Sequence, residues 1–167
     1  GLNTLLDSFK NISNELNLEL EIIGSGSLSS ELRLKTQNYN LNHQVKFLGV
    51  LTQKEIGEKL RKWDLLIFPS ELQESLGLVG LEAMACGIPV IGSRQGGIIT
   101  YLENKENGYT FDPGNVNELS SAILKFYSLK KPDRKQMSDM ALQTAEQYLK
   151  PRVFSRLNDQ LNNLFND

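Results

Sequence analysis

The sequence predicts an α/β fold with a doubly wound, mostly parallel sheet. Short apolar runs alternate along the chain with longer segments of helical period, the arrangement of successive βαβ units. The run Asp64-Leu65-Leu66-Ile67-Phe68 is apolar throughout its core, as a parallel strand covered on both faces requires. At 167 residues, 40% hydrophobic and 23% charged, the chain is about one domain and long enough to bury a sizeable core.

The elements follow in order. Leu2, Leu5, Leu6, Phe9, Ile12 and Leu16 fall at helical spacing, so an amphipathic helix is expected over about residues 2–16. A strand is expected over 18–23, stopped by Gly24-Ser25-Gly26-Ser27, then a surface helix over 28–40 and a second strand over 44–48. Thr52 with Glu55 three residues later forms a capping box for a helix running to about Trp63. After the third strand, 64–68, the loop Glu71-Leu72-Gln73-Glu74-Ser75 leads into a helix from about Leu76 to Ala85, closed by Gly87. Ile88-Pro89-Val90-Ile91 reads as a fourth strand, Gly96-Gly97 as the opening of a short helical turn, and Gly108–Phe111 as a fifth strand. From Asn115 onward only helical patterns remain, broken by Pro132 and Pro151, and no repeat or linker interrupts the chain.

Composition narrows the function. A formal net charge of −2, from 18 basic and 20 acidic residues, argues against a nucleic-acid-binding domain. No apolar stretch approaches the ~20 residues of a membrane span, and Gly1–Lys10 carries no signal-peptide pattern, so a soluble cytoplasmic protein is expected. One cysteine excludes an internal disulfide and a Cys-rich zinc site. Several residues read as structural: His43 as a bystander in a polar loop, Cys86 as a small buried hydrophobe, Trp63 as core, and Lys130-Lys131 as a solvated loop. Val153, Leu157, Leu161 and Leu164 form an apolar stripe on the expected last helix.

Parallel sheets bind ligands at the carboxyl ends of their strands, which directs attention to the loops after Ile23, Leu48, Phe68 and Ile91. The most informative stretch is Glu74-Ser75-Leu76-Gly77-Leu78-Val79-Gly80-Leu81-Glu82. If Ser75 caps the helix, the N–H groups of Leu76, Gly77, Leu78 and Val79 are free first-turn donors, an anion site kept open by Gly77. Glu82, seven residues after Ser75, would share its face. Carboxylates beside an anion site are poor phosphate ligands but good acceptors for sugar hydroxyls, a combination that suits a sugar–diphosphate–ribose ligand. The plainer reading makes Glu82 a surface residue and Gly77 and Gly80 packing glycines.

The run from Pro69-Ser70 through Glu74-Ser75-Leu76-Gly77 and Glu82-Ala83-Met84-Ala85-Cys86-Gly87-Ile88-Pro89-Val90-Ile91 to Gly96-Gly97 strongly resembles the C-terminal domain of retaining GT-B glycosyltransferases of group 1, family 4. That family's Glu-x7-Glu motif is matched by Glu74 and Glu82. Gly24-Ser25-Gly26, Val45–Gly49 and Gly108–Gly114 extend the resemblance over essentially the whole chain. It implies a Rossmann-like C-terminal half of a GT-B fold, with residues 1–167 forming a single donor-binding domain. It implies that Glu74 contacts the donor sugar as the catalytic position and Glu82 the ribose hydroxyls. Ser75 and the amides of Leu76, Gly77, Leu78 and Val79 would hold the diphosphate. The backbone near Leu51 would meet the base, Gly24 and Gly26 would let the chain pass close to the donor, and Gly96-Gly97 would shape the pocket rim.

The expected activity is hexosyl transfer from a UDP- or GDP-sugar substrate to an acceptor, in polysaccharide or glycoconjugate synthesis, with no cofactor and no metal. The family's Gly-Arg-x4-Lys-Gly start has no counterpart here, nor does the acid that usually follows Gly-Gly, where Ile98-Ile99-Thr100 stands. The chain is therefore expected to be N-terminally truncated and inactive alone, its partner being an N-terminal acceptor domain. Peripheral association with the inner membrane face is a further expectation for the full-length enzyme. Because the first strand of a doubly wound sheet is central, a gap is expected between Leu20–Ile23 and Leu65–Phe68, filled by residues outside the chain or by a neighbouring copy. The alternative reading is a non-catalytic nucleotide or nucleotide-sugar binding module. An NAD-dependent enzyme is disfavoured by Ser29 and by Gly49-Val50, where the second strand should end in an acid.

Overall fold

The structure, a computed structural model, describes residues 1–148. The chain runs α1 (Leu2–Ile12), β1 (Leu20–Ile23), α2 (Ser29–Asn38), β2 (Val45–Gly49), α3 (Gln53–Leu60) and β3 (Leu66–Phe68). It continues through α4 (Leu78–Met84), β4 (Val90–Ser93), a 3₁₀ turn (Gly96–Thr100), β5 (Gly108–Phe111), α5 (Val116–Ser128) and α6 (Lys131–Glu146). Each expected element within this range is present, most of them shorter than the pattern suggests. The apolar stripe of α1 faces inward, with Leu5, Leu6, Phe9 and Ile12 at most 3% exposed. The capping box of α3 is formed: Glu55 N donates to Thr52 Oγ1 at 3.3 Å and Thr52 N to Glu55 Oε2 at 2.8 Å.

All strand pairings are parallel. β4 lies between β3 and β5, and its four residues are all buried. Val90 points into a core beneath α3, α4 and α6, whereas Ile91 points into a second core with α1, α2 and α5. Two-sided burial explains why this strand reads as a continuous apolar run.

The sheet is divided. β1 pairs with β2, β3 pairs with β4, and β1 and β3 do not pair with each other. Between them lies a cleft of about 960 Å³, walled by Leu20–Ile23 on one side and Leu65–Ile67 on the other. Phe9 and Ile123 line one face of this cleft, and Ile56 and Leu60 the other. The gap expected at this place is thus present. From the cleft, β2 lies outward on one flank and β4 and β5 on the other. Strand order reverses here, and doubly wound sheets receive ligands outside the carboxyl ends of the strands at such a switch point.

Local expectations need correction at four places. Cys86 is exposed, because α4 ends at Met84 and the thiol sits on the turn beyond it. Trp63 lies past the end of α3 and packs against the core only half-buried; its Nε1 donates to Glu21 Oε2 at 2.8 Å, which keeps one edge of the ring polar. Lys131 is the first residue of α6 and not part of a loop; the helical pattern does break at Pro132, with α5 ending at Ser128 and the proline seated in the first turn of α6, where it lacks only an orphan donor. The β3 strand begins at Leu66, so Asp64 and Leu65 belong to its approach. Pro151 and the stripe from Val153 to Leu164 lie outside the described residues.

Glu21 gives the fold a pH dependence. Burial disfavours its charged form, but hydrogen bonds from Lys59 and Trp63 and the charges of Lys59 and Lys46 outweigh this and hold its pKa below the ordinary 4.5. A depressed carboxyl pKa contributes stability above the unfolded value and loses it as pH falls through the folded one. Denaturation followed by Trp63 fluorescence should show stability falling below about pH 4.5, with a shallower acid limb in Glu21→Gln. Identical acid limbs in the two proteins would remove Glu21 as a source.

Candidate functional site

The loops after β1, β2, β3 and β4 emerge at the carboxyl ends of parallel strands. After β1, Gly24 N donates to Gly49 O at 2.7 Å, joining the ends of β1 and β2. Gly24 has φ +115°, which a residue with a Cβ rarely adopts, and neither it nor Gly26 has a neighbour near its Cβ position. This corner is open backbone. Leu51 follows the second strand, half-buried behind the exposed Val50.

The loop between β3 and α4, Pro69 to Gly77, is held from one side. Ser93 Oγ and Gln95 Nε2 both donate to Ser70 O, the latter at 2.6 Å, and Gln95 Nε2 also reaches Leu72 O at 3.2 Å. Gly97 N donates to Glu74 O at 2.8 Å, and the Tyr101 hydroxyl donates to Gly77 O at 2.7 Å. All four donors come from the end of β4 and the 3₁₀ turn after it. Thr4 Oγ1 adds a contact from α1, donating to Glu71 Oε1 at 2.6 Å.

Gly96 and Gly97 act beneath this loop. A Cβ on Gly96 would meet Glu74 O at 2.6 Å, and one on Gly97 would meet Ser75 O at 2.1 Å. Their lack of side chains lets two backbones touch, and the contact fixes the main chain at Glu74. The Glu74 side chain stays exposed, with Oε1 accepting from Ser70 Oγ at 3.2 Å. Glu82 is also exposed and lines the cleft between β1 and β3 with Val79. The two glutamates therefore stand at opposite ends of one rigid turn, the second at the switch point.

The start of α4 differs from the expectation. Ser75 does not cap it. The N-cap is Gly77, in the left-handed region at φ +72°, with no side-chain cap. The first helical residues are Leu78 and Val79, 63% and 50% exposed, so their N–H groups and not those of Leu76 and Gly77 are the first-turn donors. Glu82 accordingly keeps register with Leu78 and Val79, not with Ser75. Because φ is positive at Gly77, any side chain there strains the backbone directly. Gly80 matches the plainer reading of a packing glycine, since a Cβ on it would meet the Tyr101 hydroxyl at 2.2 Å.

Burial pushes the Tyr101 hydroxyl well above its ordinary pKa, so it remains a donor throughout the physiological range. Arg94, also at the end of β4, is held by Asp112 at 2.8 Å and by Glu118 at 3.5 Å. Among the described residues no helix is long and apolar enough to cross a membrane. None of their His, Cys, Asp and Glu residues form a group of three that could hold a metal. Spacing patterns missed Ser93, Gln95 and Tyr101, whose partners lie 23 to 25 residues back in the chain. The only sequence signal nearby is Gly96-Gly97 between them.

A parallel sheet with this loop at its switch point defines a doubly wound α/β domain, the class that receives ligands at this place. Residues 1–144 match the family of glycosyl transferases group 1, and the chain belongs to that family. It is 33% identical over 121 residues to N-acetyl-alpha-D-glucosaminyl L-malate synthase of Bacillus anthracis, covering 72% of this chain and 31% of that protein. It is 36% identical over 113 residues to phosphatidyl-myo-inositol mannosyltransferase of Propionibacterium freudenreichii, covering 66% of this chain and 27% of that one. The chain thus spans about a third of the length of these relatives. In fold it is similar to Anabaena HepE in complex with UDP-glucose, with TM-score 0.83 and 24% identity over 98% of this chain and 45% of that one. It also resembles the C-terminal domain of a group 1 glycosyl transferase from Francisella tularensis, with TM-score 0.78 and 22% identity over 87% of this chain and 77% of that one. The architecture is that of the C-terminal domain of GT-B glycosyltransferases.

The backbone contact at Gly97 has a measurable consequence. Gly97→Ala should destabilise the protein by about 1–3 kcal/mol in chemical denaturation, because the obstacle is main chain that cannot rotate away. A loss below about 0.5 kcal/mol would show that the two backbones are not in contact.

Proposed function

We propose that this chain is the donor-binding half of a retaining glycosyltransferase that moves a hexosyl group from a UDP- or GDP-sugar to an acceptor, in the synthesis of a polysaccharide or glycoconjugate. The observation that carries this reading is the Glu74-x7-Glu82 stretch. It brackets a backbone-clamped turn at the sheet's switch point, in a chain of the group 1 family. The nucleotide in the HepE complex supports a UDP-type donor.

In this reading Glu82 accepts hydrogen bonds from the ribose hydroxyls, and the N–H groups of Leu78 and Val79 face the diphosphate. Ser75, Leu76 and Gly77 shape the approach to that position. Leu51 meets the base with main-chain groups, and Gly24 and Gly26 leave the β1 corner open to the donor. Glu74 accepts from the donor sugar near the reacting carbon. During transfer the bond from the anomeric carbon to the phosphate oxygen breaks, and the nucleoside diphosphate leaves with that electron pair. A bond from the same carbon to the acceptor oxygen forms on the same face, and the acceptor's proton passes to the oxygen of the departing diphosphate. The positive charge that develops on the sugar is stabilised by the Glu74 carboxylate. Gly96 and Gly97 hold Glu74 in place from beneath.

Calorimetry on the natural protein containing this chain tests these roles. Glu82→Ala should raise the dissociation constant of the bound UDP or GDP about tenfold or more, the effect of losing a charged acceptor worth about 1.5–3 kcal/mol. Glu74→Ala should lower turnover while changing nucleotide affinity much less. Normal nucleotide binding by the Glu82 variant would show that the pocket is misplaced. Stabilisation by NAD instead of a uridine or guanosine nucleotide would point to a different reaction class.

A further inference from the structure

Tyr101 belongs to no motif, yet it is 1% exposed and among the largest fully buried side chains of the chain. Its ring packs edge-on against Tyr148 at 6.0 Å, and its hydroxyl donates to Gly77 O at 2.7 Å. That carbonyl also accepts from Gly80 N at 3.0 Å. Gly77 is a left-handed N-cap without a side-chain cap, so nothing on its own side chain fixes the turn. A phenylalanine would fill the same core space. The hydroxyl is the part of Tyr101 that reaches the turn.

Gly80 is the other half of the arrangement. A Cβ there would lie 2.2 Å from the Tyr101 hydroxyl and 3.1 Å from Cζ. Glycine is a poor helix residue, and its place in the first turn of α4 is explained by the room it leaves for this hydroxyl. Glu74 stands three residues before Gly77 and Glu82 five residues after it. A shift of the Gly77 carbonyl therefore moves Glu82, on the helix that starts there, relative to Glu74, which Gly96 and Gly97 hold in place.

We propose that Tyr101 is a positioning residue of the donor site, fixing the Gly77 turn through its hydroxyl, and that Gly80 is the glycine that admits it. This rests on the donor-site reading given above. Tyr101 touches no substrate in this scheme; it acts through the main chain of Gly77.

The test compares Tyr101→Phe, Gly80→Ala, the double variant and Glu82→Ala in the natural protein. UDP and GDP affinity are measured by calorimetry at a temperature where circular dichroism shows each variant folded. Tyr101→Phe should weaken nucleotide binding about fivefold, the effect of one lost hydrogen bond. Gly80→Ala should weaken it at least as much. The double variant should bind within about twofold of Tyr101→Phe alone, because the 2.2 Å contact disappears with the hydroxyl. Melting temperature lowered in Tyr101→Phe with nucleotide affinity within twofold of wild type, while Glu82→Ala weakens binding, would make Tyr101 core filling only and overturn the proposal. Full additivity of the two substitutions would overturn the pairing with Gly80. Unchanged binding in Glu82→Ala as well would overturn the donor-site reading, and this inference with it.

Discussion

The site depends on one close approach, the packing of Gly96-Gly97 against the main chain of Glu74 to Leu76. A Cβ at either glycine would fall within 2.6 Å of a backbone oxygen, so the distance between the loops is set by covalent geometry, not by adjustable side chains. Everything placed by the β3–α4 loop inherits this position. The hydrogen bonds from Ser93, Gln95, Gly97 and Tyr101 are spread along the loop from Ser70 to Gly77 and hold its carbonyls without occupying its outer surface. The exposed face is left to Glu74, Leu78, Val79 and Glu82. A scaffold that is rigid beneath and open above suits recognition of a polar ligand, because little ordering remains to be done on binding.

The parallel sheet supplies the direction of this arrangement. β4, buried on both faces, anchors the 3₁₀ turn that carries the clamp, and β3 beside it delivers the clamped loop. The cleft between β1 and β3 then meets α4 at Glu82. Among the described residues, β1 and β3 have no ladder partner on the side that faces this cleft, an arrangement open to pairing with an added strand. The division of the sheet and the placement of Glu82 are thus two aspects of the same switch point.

Much of this was legible in the sequence, for identifiable reasons. Five strands and their helices followed from apolar periodicity, and the Thr52–Glu55 box from two residues in fixed register. Glu74, Glu82 and the two glycine pairs stood out because glycine and acid spacing survive in one dimension. What spacing could not give was contact across distant segments. Ser75 has the chemistry of a cap, but tertiary contacts place the turn at Gly77, where φ is +72° and a hydroxyl 24 residues away holds the carbonyl. Cys86 was expected inside because cysteine packs well, whereas the end of α4 leaves it on a turn. Tyr101 belongs to no sequence motif, since nothing in the local pattern distinguishes a ring that fills space from a hydroxyl that holds a turn.

The central claim is that the clamped turn between Glu74 and Glu82 is where the nucleotide-sugar sits. A crystal structure of the natural protein with a UDP- or GDP-sugar measures this directly. The account predicts ribose hydroxyls at hydrogen-bond distance, about 2.5–3.0 Å, from the Glu82 carboxylate, and the diphosphate facing the N–H groups of Leu78 and Val79. Nucleotide seated elsewhere, with Glu82 in solvent and the β3–α4 loop free of ligand contacts, would contradict it.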